Sequence, residues 1–173
     1  MKTIYFLRHA KSSWKDAELS DIDRPLNKRG RENAPLIGRL MRKLKVKPQL
    51  IISSPSKRTM TTALIVADKI GYQEKNIKID MDLYGANVAQ VVQLIHHLDD
   101  TLKNVMLVGH NPSFTLIVDY FTGKPIDNLP TSGFVQINFD VKSWRDVKAK
   151  NGEMILFEYP KKMAEETKPG KNV

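Results

Sequence analysis

Three short, nearly continuous apolar runs constrain this chain more than any other feature: Thr3 to Leu7, Leu50 to Ser53 and Val105 to Val108. Runs of this length and character are what strands buried on both faces require, and such strands belong to parallel sheets covered by helices. Ile77 to Ile79 is a weaker fourth run. Helical candidates lie between and after them, at Lys28 to Lys43, Ser56 to Ile70, Val88 to Leu98 and Pro112 to Phe121. In the third, Val88, Val91, Val92, Ile95 and Leu98 form an apolar stripe at helical spacing. The alternation predicts an α/β fold, a three-layer α/β/α sandwich with a mostly parallel central sheet. Late in the chain, Phe134 to Phe139 and Met154 to Phe157 read as a closing hairpin, joined by the polar segment around Trp144 to Gly152.

With 173 residues, 41% of them apolar, the chain has material for one domain core. Residues 1–159 are read as that domain. Residues 160–173, rich in lysine and punctuated by Gly and Pro, are read as a basic, mobile tail, and a monomer is the default expectation. The chain has no cysteine, which excludes disulfides, zinc-thiolate sites and thiol nucleophiles and suits a reducing compartment. The apolar run after Lys2 is too short for a signal peptide, and no window approaches a membrane span, so a soluble cytoplasmic protein without a membrane partner is expected. A net charge of +9 invites nucleic-acid binding. Yet the basic residues are interleaved with Asp and Glu and do not alternate with aromatics, so no nucleic-acid partner is expected; attraction for an anionic substrate accounts for the charge instead.

Three helix starts carry local signals. Ser54 and Asn111 can cap helices with Pro55 and Pro112 at the first helical position, and Asn27 can cap the helix that starts at Lys28. These starts should lie at the carboxyl edge of the sheet, where open α/β folds bind ligands. Two of the four histidines, His9 and His110, follow apolar strands and should emerge at the same edge, whereas His96 and His97 sit on a helix surface. Arg8 precedes His9, Arg58 lies in the first turn of a helix, and Arg24 sits just before another. Each arginine could be surface charge or a salt-bridge partner, Arg24 with Asp21 or Asp23 for instance. Converging with the histidines, they would instead form a pocket for a phosphoryl group, because guanidinium forks match tetrahedral oxyanions.

The ordered set "LRHAKSSW", "RPLNKRG", "SSPSKRTMTTA" and "VGHNPSF", spanning about residues 1–121, resembles the histidine phosphatase superfamily, also called phosphoglycerate mutase-like, and within it the short SixA-type phosphohistidine phosphatases. The resemblance implies that His9 is a nucleophile that becomes transiently phosphorylated, with Arg8, Arg58 and His110 holding phosphoryl oxygens and Arg24 adding a further phosphate contact. Ala10 stands where the family pattern usually has glycine, which bears on the packing beside the nucleophile.

Attack on phosphorus needs a neutral ring nitrogen, and the positive charges around His9 disfavour its protonation. The other ring nitrogen must donate to a fixed acceptor, a backbone carbonyl being the natural one. No cluster of carboxylates or histidines suggests a metal site, so neither metal nor cofactor is expected. Asp21 and Asp82 are the candidates for a general acid, and either could equally be an exposed loop carboxylate or a partner of a helix dipole. A phosphoramidate nitrogen is readily protonated in solution, so a thin acid favours phosphohistidine over alkyl esters. Lys11, Ser12, Ser13 and Trp14 could line the pocket mouth, with packing as the other role for Trp14. Thr131 to Gly133 could approach the site or form an ordinary turn, and Tyr84 and Gly85 read as the turn into the third helix.

These readings predict a metal-independent phosphatase acting through phospho-His9 on protein phosphohistidine or a small phosphorylated compound. The alternatives are a broad-specificity phosphomonoesterase, a phosphomutase, or a non-catalytic phosphate- or nucleic-acid-binding module.

Overall fold

Six strands form one sheet in the order β3-β2-β4-β1-β5-β6 in the computed structural model, which describes residues 1–166. The strands are β1 (Lys2–Arg8), β2 (Leu50–Ser53), β3 (Lys78–Ile79), β4 (Asn104–Gly109), β5 (Phe134–Phe139) and β6 (Gly152–Glu158). The first four are mutually parallel, and β5 and β6 complete the sheet in antiparallel sense. β1 is therefore central, which is why Ile4, Phe6 and Leu7 are all fully buried.

The period-two alternation of β1 and β4 divides the core into two layers. Ile4, Phe6, Val105 and Leu107 face one side with helices α3 (Val88–His96) and α4 (Ser113–Thr122). Tyr5, Leu7, Met106 and Val108 face the other, against α1 (Lys28–Lys43) and α2 (Lys57–Ile70). Helices thus cover both faces, as in the α/β/α sandwich the sequence predicts. Trp144, in the connection between β5 and β6, is fully buried, with its Nε1 donating to the carbonyls of Asp99 and Leu102. A segment that reads as polar is thereby pinned to the core by Trp144, with the fully buried Val147 close to it in the sequence.

The helix starts differ in detail from the sequence expectation. Asn27 caps α1, its side chain accepting from the Gly30 amide. In α2 the cap is Ser56, accepting from Thr59, so neither Ser54 nor Pro55 plays the expected part. α4 begins at Ser113 with Pro112 in the cap position and no side-chain cap, and the Asn111 side chain instead reaches Asn128 and the carbonyl of Leu129. In both cases the extra residues extend the strand-to-helix loop, which frees Ser54 and Asn111 for tertiary contacts. Residues Pro160–Glu166 form a short helix, α5, where the mobile tail is expected to begin; the remainder of that expectation, residues 167–173, lies outside the described residues. Among the described residues no helix is long and apolar enough to cross a membrane.

Candidate active site

The register of β1 against β4 builds the centre of the site. Arg8 lies opposite Gly109, so the next residues, His9 and His110, leave neighbouring strands side by side. The His9 amide donates to the Gly109 carbonyl at 3.1 Å, and the two imidazoles lie 5.3 Å apart, centroid to centroid. Gly109 is required here, because a Cβ at this position would come within 2.6 Å of the Phe114 ring. Ala10, in contrast, is fully buried beside Leu26 and Ala34, and its amide donates to Thr62 Oγ1 at 2.9 Å. The methyl group that replaces the usual glycine hydrogen fills an apolar niche.

Arg8, His9 and His110 line a cavity of about 510 Å³ at the carboxyl edge of the sheet. It brings together Arg8, His9, Arg24, Arg58 and His110, all five of the histidine and arginine residues that the sequence singles out, with Asp21 and Lys11. Asp82 is the exception: it is exposed and borders a different cavity, between the sheet edge and α3. As a general acid for this site Asp82 is misplaced, because the 3-10 turn Met81–Leu83 directs it away while Tyr84, two residues on, enters the cavity. Among the described residues no cluster of His, Asp or Glu is placed to hold a metal ion.

His9 is buried, and its Nδ1 lies 2.7 Å from the Ala10 carbonyl. A carbonyl can only accept, so Nδ1 carries the hydrogen and Nε2 keeps its lone pair. Burial pushes the His9 pKa down to about 3, with the charges of His110, Arg58 and Arg8 acting in the same direction and the Ala10 hydrogen bond opposing them. His110 is lowered to about 4, again chiefly by burial and then by Arg58, and its Nε2 is 2.7 Å from Ser54 Oγ. Both rings are neutral at physiological pH.

The arginines are organised by one carboxylate. Arg58 donates to the Asp21 carbonyl at 2.6 Å and to its Oδ2 at 3.0 Å, while Arg24 donates to Oδ1 at 3.1 Å. Tyr84 Oη donates to the same Oδ2 at 2.6 Å. The Tyr84 hydrogen bond, followed by the two guanidinium groups, holds the Asp21 carboxyl below its usual range, so it is ionised. Arg24 is additionally held by Ser12 Oγ and the Ser13 carbonyl. Arg8 donates Nη1 to the Leu129 carbonyl at 2.8 Å, while its buried Nε has no protein partner. This set of preorganised donors around a neutral imidazole can receive a tetrahedral oxyanion and stabilise charge that develops on it.

Sequence reasoning missed Tyr84 and Ser54. Tyr84 looks like part of a turn, but its ring packs edge-on against His110 at 5.7 Å, and nothing local in the sequence signals that contact. Ser54 reads as a cap because of the following proline. His96 closes α3 and His97 is its C-cap; neither lines this cavity, and His96 Nε2 lies 2.7 Å from the Val147 carbonyl. Thr131 does border the cavity, and the amide of Ser132 donates to the His9 carbonyl at 3.1 Å.

Comparison with known proteins agrees with this architecture. Residues 4–84 match the family model of the histidine phosphatase superfamily, branch 1. A crystal structure from Agrobacterium tumefaciens, assigned as a phosphohistidine phosphatase SixA, superposes with a TM-score of 0.80 at 27% identity, covering 92% of this chain and 98% of that one. The protein histidine phosphatase SixA in complex with tungstate shares the fold, with a TM-score of 0.79 at 20% identity over 93% of this chain and 99% of its own. An uncharacterized chloroplastic protein of Arabidopsis thaliana is 29% identical over 160 residues, 87% of this chain and 72% of the relative. The chain carries the histidine phosphatase superfamily match over residues 4–84 and is similar in fold to SixA-type structures over nine-tenths of its length. It is a hydrolytic phosphatase.

Proposed function

We propose that this phosphatase removes the phosphoryl group from protein phosphohistidine through a covalent intermediate on His9. The observation that carries the reading is the state of Asp21: two arginines and a tyrosine hydroxyl keep it ionised, so it has no proton to give a leaving group. His110 is uncharged and so is no strong acid either. An alkoxide leaving from a phosphate ester needs a positioned acid, whereas the imidazole of phosphohistidine can take its proton from solvent before the bond breaks. Such a cavity suits cleavage of P–N more than P–O bonds.

In the first step His9 Nε2 attacks phosphorus, the P–N bond to the substrate breaks, and the protonated substrate ring departs as neutral imidazole. Arg8, Arg58 and His110 hold the equatorial oxygens, with Arg24 at the edge of the set. To reach Arg58 and Arg24 the phosphoryl oxygens take over donors that Asp21 occupies in the free protein. In the second step water attacks phosphorus, the electron pair of the N–P bond returns to Nε2, and both water protons leave with the phosphate as dihydrogen phosphate. His9 is restored neutral, with Nδ1 still bonded to Ala10. A cytoplasmic setting is in keeping with the cysteine-free chain.

The test is phosphate release from a phosphohistidine peptide, with phosphoserine and sugar phosphates alongside. His9→Ala is expected to lose turnover by on the order of a thousandfold or more. Radiolabelled enzyme, quenched during turnover, should keep its label in alkali and lose it in acid, and EDTA should leave the rate intact. Wild-type turnover by His9→Ala would refute the nucleophile, and a preference for sugar phosphates would refute the substrate.

A further inference from the structure

The chain has two tryptophans, and they have opposite fates. Trp144 is fully buried, whereas Trp14 is 74% exposed at the edge of the catalytic cavity. An indole left in water forfeits the burial that makes tryptophan useful in a core, so its location calls for another use. Nor is Trp14 a loose side chain on a mobile loop. Ser12 pairs with Leu26 in an isolated antiparallel bridge, and the Ser13 amide donates to the Pro25 carbonyl at 2.9 Å. Continued by two residues, that register sets Trp14 opposite Arg24.

The Arg24 guanidinium lies 3.3 Å from the centroid of the indole, covering one face. Arg24 is itself buried and tied to Asp21, Ser12 and Ser13, so the stack beneath the indole is rigid. Among the described residues no second ring or cation covers the other face. The ring is thus a flat aromatic platform, fixed before any ligand arrives and bordering the same cavity as His9.

We propose that Trp14 is a specificity-determining residue whose free face receives the imidazole ring of the phosphorylated histidine. The proposal rests on the phosphohistidine reading above and gives its leaving group a binding site. A planar ring stacks on indole with little loss of side-chain freedom, since the indole is already held. The match goes beyond flatness. The departing ring must be protonated, and a cationic ring is attracted to the π face of tryptophan. The platform therefore favours the charge state in which the P–N bond breaks. A phosphorylated serine offers neither the plane nor the charge.

The test uses the full-length enzyme with two N-phosphoryl substrates, a phosphohistidine peptide and phosphoramidate, which has no ring. Trp14→Ala is expected to lower kcat/KM for the peptide roughly tenfold more than for phosphoramidate, the range seen when an aromatic stacking partner is lost. Trp14→Phe should recover most of that difference. Because Trp144 is buried, titrating His9→Ala with the peptide should change tryptophan emission through Trp14, and Trp14→Phe in the same background should abolish the change. Equal losses for both substrates, or emission changes that survive Trp14→Phe, would overturn the platform while leaving the substrate assignment standing. Failure of the wild type itself to hydrolyse phosphohistidine would overturn both, and the wild-type arm alone reveals it.

Discussion

Protonating His9 is the perturbation that tests most of this reasoning, because nucleophilic attack needs the neutral ring. With a pKa of about 3 the ring is about 1% protonated at pH 5, whereas an ordinary imidazole near 6.5 would be about 97% protonated. The neutral fraction at pH 5 is thus about thirtyfold larger than in a solvated histidine. Proton NMR of the imidazole Cε1–H signals, assigned with His9→Gln and His110→Gln, is expected to show no titration midpoint for either ring between pH 5 and 9. The same shift has a thermodynamic consequence. Above about pH 6.5 neither folded nor unfolded His9 is charged, and the stability is full. As pH falls below 6.5 the unfolded chain takes up a proton that the native ring refuses, so stability drops by about 1.4 kcal/mol per pH unit until about pH 3. Between pH 7 and pH 5 that amounts to about 2 kcal/mol, which urea denaturation can resolve and which His9→Gln should remove. An NMR midpoint for His9 between pH 6 and 7, or an unchanged pH dependence in His9→Gln, would refute the claim that burial holds this ring neutral.

Two further substitutions examine the surroundings of the ring. Asp21→Asn leaves Arg24 and Arg58 without their internal carboxylate, so inorganic phosphate should inhibit at roughly tenfold lower concentration. If Asp21 were instead the acid, the same variant would lose far more kcat on esters than on phosphohistidine, and phosphate inhibition would be unaltered. Gly109→Ala drives a methyl group into the Phe114 ring and should destabilise by about 1–3 kcal/mol in urea or thermal unfolding; a neutral effect would mean that the strand end can move.

The chain's own pattern determined the sheet and its helices, because continuous apolar runs and 3.6-residue stripes report burial directly. α1 spans Lys28–Lys43, the bounds its sequence predicts, since the Asn27 cap and the basic last turn are local signals. The convergence of His9, His110, Arg8, Arg24 and Arg58 was likewise legible, as each sits beside a strand end or helix start and parallel strands bring such ends to one edge.

Tertiary structure decided what depends on residues distant in sequence. Asp21 and Tyr84 are 63 positions apart, and no propensity reveals that they share a hydrogen bond; that contact is the first of those that hold the Asp21 carboxyl below its usual range. Asp82 and Tyr84 both follow β3, and only the direction of one 3-10 turn selects the tyrosine for the cavity. The two tryptophans make the same point. Composition cannot say which is packed and which exposed, because burial belongs to the surroundings: Trp144 meets the core beneath the β5–β6 connection, and Trp14 meets a buried arginine at the rim of the site.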